Sequence, residues 1–343
     1  MDTSLHGIII AGNLVVDTVK NITTYPAVGM LTGILDISRG VGGCAANTSI
    51  DLAKLDASLP LKVLGRVGDD ENGTYVIDEL QKYGIDTRGI RITPHEHTSF
   101  TDVMSLPSGE RTFFHKRGAN AVFSPQDMDI PSLSCSIFHI GYILLLDAFD
   151  KEDAEYGTVM ARFLHDLQAA GIKTSVDVVS ADDLRIYGKT ITPALKYTNY
   201  AIINEIEATA IMQLSPRNED GSLNRENLRI SMENMVRAGV SDKVIIHAKE
   251  MSFLLDAHTG EFCEVPSLKL PLDVIKGSVG AGDAFCAGAL YGIYHQFENR
   301  DILKFASAVA ATSLFEANAT DGVRTKEEVL ALTQNMKDER DHT

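Results

Sequence analysis

Apolar positions along this chain follow two spacings that take turns. Unbroken apolar runs at His6 to Ala11, Leu61 to Val67, Ser136 to Leu145, Thr174 to Val179, Tyr200 to Asn204 and Lys243 to His247 read as buried strands. Between them, Ala45 to Ala57, Gly73 to Tyr83, Ala154 to Ala170 and Asp283 to Phe297 read as helices, with Gly84 and Gly171 as C-terminal stops. Strand and helix in alternation imply β-α-β units and an α/β fold: a mostly parallel sheet covered on both faces. Ligands in such folds bind beyond the carboxyl ends of the strands. Val15 to Gly40 and Thr98 to Arg117 break the rhythm. Their strict alternation and Gly or Pro turns predict a small separate sheet. No low-complexity tract, linker or internal repeat stands out.

Composition narrows the function classes. With 343 residues, 44% hydrophobic and 23% charged, the chain has the make-up of an ordinary globular protein. Its formal charge of -16 argues against nucleic acid as a partner, because phosphate backbones attract basic faces. No apolar run approaches ~18 residues, so no membrane span is expected. The opening MDTSLHGIIIAGN lacks the basic lead of a signal peptide. Cys44, Cys135, Cys263 and Cys286 form no C-x-x-C pair, and free buried thiols in a reducing cytoplasm are expected.

The sharpest chemistry lies at Gly280-Ala281-Gly282-Asp283, ahead of a helix rich in small residues. Small residues let backbone N–H groups approach a ligand, and the helix start adds its positive dipole end. Together they suit an anion such as a phosphoryl group in transfer, with Asp283 able to accept the proton of an attacking hydroxyl. A plain glycine turn with a capping aspartate is the bland alternative. Gly42-Gly43-Cys44-Ala45-Ala46-Asn47 is a second small-residue turn, where Asn47 offers a donor and an acceptor to hydroxyls. Asn204-Glu205-Ile206-Glu207 follows a strand, although N-x-x-E is also a common helix-capping pattern.

These motifs, with Gly65-Arg66-Val67-Gly68-Asp69-Asp70-Glu71-Asn72-Gly73, stand in an order and spacing that resembles the ribokinase (PfkB) carbohydrate kinase family, from about Ile8 to about Val323. The flavour is similar to fructokinase-like and sugar-acid-kinase-like members. The resemblance implies a three-layer α/β/α sandwich with a β lid, ATP as donor, magnesium, a small sugar as acceptor, and a homodimer formed through the lid. It implies one domain over 1–330 with lid strands at about 13–40 and 97–118, then a helix end and tail over 331–343. It assigns Asp283 as base and Gly280, Ala281 and Gly282 as anion hole. Asp17, Gly42, Gly43 and Asn47 fall to the substrate, and Asn204 and Glu207 to magnesium through its waters. Arg117 or Arg111, from the stretch Arg111 to Arg117, would reach a carboxylate, phosphate or keto sugar, with an exposed alternating strand as the equal alternative. His115 reads as lid packing.

Three departures qualify the resemblance. Gly277 and Ser278 stand where many members carry an Asp-Thr pair that supports a monovalent cation, so dependence on such a cation is not implied here. Lys276 beside that gap is a candidate substitute charge, against the alternative of a surface lysine. His247-Ala248-Lys249-Glu250-Met251-Ser252 replaces the usual Thr-x-Gly-x-x-Gly loop, leaving His247 and Lys249 as candidate nucleotide contacts. Cys44 replaces the lysine of ribose-specific members, and Asp177-Val178-Val179-Ser180 lacks an Asn found in some sugar-acid kinases. A nucleoside kinase of the same fold and a non-catalytic sugar or nucleotide sensor are the competing readings. A NAD-dependent enzyme is excluded by the missing early G-x-G-x-x-G.

Overall fold

A computed structural model describes residues 6–108, 110–180 and 185–338. Nine strands form one sheet in the order Phe262–Pro266, Met251–Asp256, Lys243–His247, Tyr200–Asn204, Lys173–Val178, Ile137–Ile143, Ile8–Ala11, Leu61–Gly68 and Asp86–Thr93. The seven strands from Lys243–His247 onward pair in parallel, and the two at the Phe262 edge pair antiparallel. Strand side chains alternate between faces. Ile8 and Ile10 therefore join one core with Ala284, Leu290 and Phe305, while Ile9 and Ala11 join a second with Phe138, Phe163 and Met235. Two separate cores on one sheet make the three-layer α/β/α sandwich.

Helices Cys44–Leu55, Ala281–Tyr294 and Asn299–Ser313 pack against one another over the first core. Gly288 lets the last two approach closely: a Cβ there would lie 2.7 Å from the Cα of Ala306. The expected helix at Ala154 to Ala170 is shorter, at Val159–Ala169. Gly157 holds a φ of 86°, and the Thr158 hydroxyl caps the Ala161 amide, so the helix starts there. Glu152–Asp153 and Gly157–Thr158 form a small ribbon instead. Helices Arg225–Ala238 and Asn299–Ser313 were not singled out by the pattern.

The two segments that break the rhythm build a separate four-stranded sheet, ordered Ile34–Gly42, Val15–Ile22, Ser99–Ser105 and Arg111–Lys116. Each segment is a pair of antiparallel strands, but the strands that meet in the middle run parallel, so the lid is a mixed sheet. The C-terminal helix Lys326–Asp338 runs through residue 331, and the tail 339–343 lies outside the described residues. Among the described residues, no helix is long and apolar enough to cross a membrane. All four cysteines are free and buried.

Candidate active site

The site forms where the strand ends of the main sheet face the lid. Gly280 takes the left-handed conformation, with φ 78°, and starts the helix Ala281–Tyr294 without a side-chain cap. A Cβ there would lie 2.5 Å from the carbonyl oxygen of Ala319 and 2.7 Å from its Cα, so only glycine fits. No side chain caps the first turn of this helix, and its Ala281 amide reaches only the Ser278 carbonyl, at 3.4 Å; an uncapped helix start of this kind suits an anion.

Asp283 sits inside that first turn and is 3% exposed. Asn47 Nδ2 donates to its Oδ2 at 2.8 Å, and the Tyr142 hydroxyl donates to its Oδ1 at 2.8 Å. Burial pushes its carboxyl above the usual range, the two donors pull it down, and the nearby Asp17 charge pushes it up. The result is a desolvated carboxylate held in place by two hydrogen bonds, which suits a general base. Asn47 reaches it from the first turn of Cys44–Leu55, a helix that begins at Gly43 with φ 85°. The Oδ1 of Asn47 is buried with no partner, which leaves an acceptor open to a hydroxyl.

Asp17 approaches from the lid. Gly42 pairs with Val15 on the neighbouring strand, and a Cβ on Gly42 would collide with the Asp17 carboxylate. Asp17 lies in register between Gly40 and Thr101, with His115 next in the row. Thr101 hydrogen-bonds Asp17, and its hydroxyl lies 3.1 Å from His115 Nδ1. Burial raises the Asp17 carboxyl and this hydrogen bond lowers it, the first effect being larger.

A second acidic group lies at the ends of two neighbouring strands. Asn204 caps the helix Glu205–Ile211 as a full capping box: its side chain accepts from the Ile206 and Glu207 amides, and Glu207 accepts from the Asn204 amide at 3.0 Å. Glu207 also accepts from Asn204 Nδ2 at 2.7 Å and the Ser180 hydroxyl at 2.9 Å. Burial nevertheless pushes it up to about 7. Asp177, on the adjacent strand, is raised well above its usual range by burial and by the charges of Glu207 and Asp283. Among the described residues, no group of three or more His, Cys, Asp or Glu side chains is placed to grip a metal directly. The oxygens of Asn204, Glu207 and Asp177 are of the hard type that suits a hydrated magnesium ion.

Other candidates are placed elsewhere. The Arg117 guanidinium pairs with Asp147 and lies 3.5 Å from the Leu144 carbonyl. The Lys276 ammonium is on both oxygens of Glu316 at 3.0 Å, largely exposed, rather than behind the turn. Lys249 is exposed in a tight hairpin closed by the Ala248 amide on the Met251 carbonyl. His247 is beside the turn: its Cε1 would meet a Cβ on Gly282 at 3.4 Å, and its ring lies 4.8 Å from that of Phe285. Burial lowers its imidazole to about 4, so it is neutral. Tyr142 and Thr101 belong to no motif, and Asp177 and Ser180 carry no assigned role in the sequence, yet all four reach this site. Tyr142 stands at the carboxyl end of a parallel strand, which is the signal that points to it.

A family model described as pfkB family carbohydrate kinase matches residues 13–326. The 5-dehydro-2-deoxygluconokinase of Shouchella clausii is 25% identical over 313 residues, covering 87% of this chain and 88% of that protein. Among solved structures, the ribokinase of Thermotoga maritima superposes with a TM-score of 0.78 at 18% identity, covering 96% of this chain and all of the other. A ribokinase of Arabidopsis thaliana, solved with ribose and ATP, gives 0.77 at 19% identity over 96% and 99%. At these identities the structural likeness shows a shared ribokinase-like fold. With the match spanning nearly the whole chain, this protein belongs to the pfkB family of carbohydrate kinases.

Proposed function

We propose that this sugar kinase transfers the γ-phosphoryl group of ATP to a hydroxyl of a small sugar or sugar derivative, with Asp283 as the base. The observation that carries this is the buried Asp283 carboxylate, fixed by Asn47 and Tyr142 inside an uncapped, glycine-started helix turn. Asp17, the Gly42-Gly43 backbone and Asn47 hold the sugar hydroxyls. Asp283 takes the hydroxyl proton as that oxygen bonds to the γ-phosphorus. The bond from phosphorus to the bridging oxygen breaks, and ADP leaves. The amides of Gly280, Ala281 and Gly282 face the charge that spreads over the phosphoryl oxygens. Magnesium, when bound, would neutralise part of that charge, and Asn204 and Glu207 would hold its waters. His247 lies where a neutral ring borders the phosphates, and Lys249 is a solvated neighbour. The tight 247–252 hairpin makes nucleotide contacts that differ from the usual loop. ADP release against ketoses, pentoses, sugar acids and nucleosides, with Asp283→Asn as control, tests the assignment. Turnover retained in that variant removes Asp283 as base.

We propose in addition a homodimer through the lid. The lid leaves Leu35, Ile37, Phe113 and Phe114 between 55% and 63% exposed; Ile37 and Phe114 lie on the lid face turned away from Asp17, and a second copy would cover that face. Light scattering of wild type against Ile37→Asp tests it; two monomeric species would sink the idea.

A further inference from the structure

The turn that carries the anion hole does not support itself. Gly277 and Gly280 press on the loop that follows the helix Asn299–Ser313: a Cβ on Gly277 would lie 3.0 Å from Ala317, and one on Gly280 2.7 Å from Ala319. The position of that loop therefore sets the position of the turn. It is held from the other side by Lys54, whose ammonium donates to the Thr320 carbonyl at 2.7 Å. Lys54 sits on the last turn of Cys44–Leu55, the same helix whose first turn places Asn47 on Asp283. One turn before Lys54, Asp51 is fully buried, and neither of its carboxylate oxygens has a hydrogen-bond partner. A buried carboxylate without a partner is costly. Burial lowers the Lys54 ammonium below its usual range, against the charges of Asp51 and Asp321, and burial likewise pushes the Asp51 carboxyl well above its usual range.

We infer that Lys54 is a positioning residue for phosphoryl transfer: its ammonium, held on the Thr320 carbonyl, fixes the 317–320 loop against Gly277 and Gly280 and supplies a built-in positive charge behind the anion turn. This rests on the kinase reading of that turn. Lys276, beside the motif gap, has its charge matched by Glu316, whereas the lysine bound to the backing loop comes from another helix altogether. A neutral side chain at 54 leaves the sugar contacts in place but loosens the turn, so the loss falls on kcat rather than on the KM for sugar.

The test is steady-state kinetics of Lys54→Met and Lys54→Arg. The Met variant is expected to lose about tenfold to a hundredfold in kcat, with sugar KM within about twofold. The Arg variant is expected to keep kcat within about threefold, and added ammonium ion to raise the Met variant but not the wild type. If the Met variant does not fold, Lys54→Gln carries the same comparison. Wild-type kcat in the neutral variant overturns the inference, as does an equal loss in Met and Arg variants without ammonium rescue. Absence of turnover in the wild type removes the kinase reading itself, whereas wild-type turnover with an unaffected neutral variant removes only the role of Lys54.

Discussion

Tyr142→Phe isolates one of the two hydrogen bonds accepted by Asp283, the proposed base. The hydroxyl donates to Asp283 Oδ1 at 2.8 Å, while Asn47 holds the other oxygen at the same distance. Both bonds favour the ionised carboxylate against burial, which favours the neutral acid. A hydrogen bond to a charged group contributes about 1.5–3 kcal/mol. Its loss therefore pushes the Asp283 carboxyl further above the usual carboxylate range, and about 1.5–3 kcal/mol corresponds to about tenfold to a hundredfold in the ionised fraction on the acidic side. A higher pKa leaves the base protonated, hence inactive, up to a higher pH. The acidic limb of log kcat against pH should move to higher pH in the Phe variant, with rates on that limb about tenfold to a hundredfold lower and converging on wild type on the alkaline side. ADP release at saturating MgATP and sugar, from about pH 5 to pH 9, measures it. Thermal denaturation gives a second reading. The folded pKa of Asp283 is already raised, so its contribution to stability is fully present below the unfolded value and is lost as pH rises through the folded one. Tyr142→Phe widens that gap, so the variant should match wild type in Tm below about pH 3.5 and fall below it at neutral pH. A uniform loss of kcat at every pH, with the limb unmoved, would refute the reasoning, because it would mean that Tyr142 positions substrate rather than tunes the base.

Gly280→Ala places a Cβ in a left-handed residue against Ala319, and the left-handed strain alone costs about 1–2 kcal/mol. The turn must shift, so kcat should fall by about a hundredfold with sugar KM little changed, as steady-state assays would show. Glu207→Gln removes a carboxyl raised to about 7, whose ionised form opposes folding above that pH. The variant should therefore be more stable than wild type at about pH 8, by about 1–3 kcal/mol, and equal to it near pH 4, while needing more magnesium for half-maximal rate. Asp147→Asn frees the Arg117 guanidinium. Its KM for sugar acids should drop severalfold against an unchanged KM for neutral ketoses, and equal changes for both classes would show that Arg117 does not face the substrate.

The central sheet was legible because its strands are continuous apolar runs, as two buried faces require. Boundaries slipped where a single side chain decides them, as at Thr158, whose capping hydroxyl starts a helix that the apolar pattern alone began at Ala154. The parallel meeting of the two lid hairpins left no mark, because strand alternation is the same in either direction. At the site, small-residue turns announced Gly42, Gly43, Gly280 and Gly282, since close backbone approach depends on residue type. Tyr142 left no such mark: its role comes from a contact 141 positions away in the chain. At Asn204 and Glu207, the capping box and the buried acidic group are the same atoms. The cap fixes Glu207 under its helix and so causes the burial that raises it, which is why sequence could not choose between a structural and a functional reading.

The departures from the family pattern share a physical theme. Cys44 is buried against Gly12 and Gly141, 3.0 and 3.1 Å from the Cβ positions those glycines lack, so a long cationic chain could not take the same path. Gly277 presses directly on Ala317, leaving no room for a carboxylate on that side. His247 sets an uncharged ring beside Gly282. At each of these positions the turn is bordered by close packing rather than by a charge. On the proposed reading, positive charge for phosphoryl transfer would come from the helix start, from magnesium when bound and from a cation outside the motif positions, and the lysine held on the Thr320 carbonyl is placed to supply it from the far end of the helix that carries Asn47.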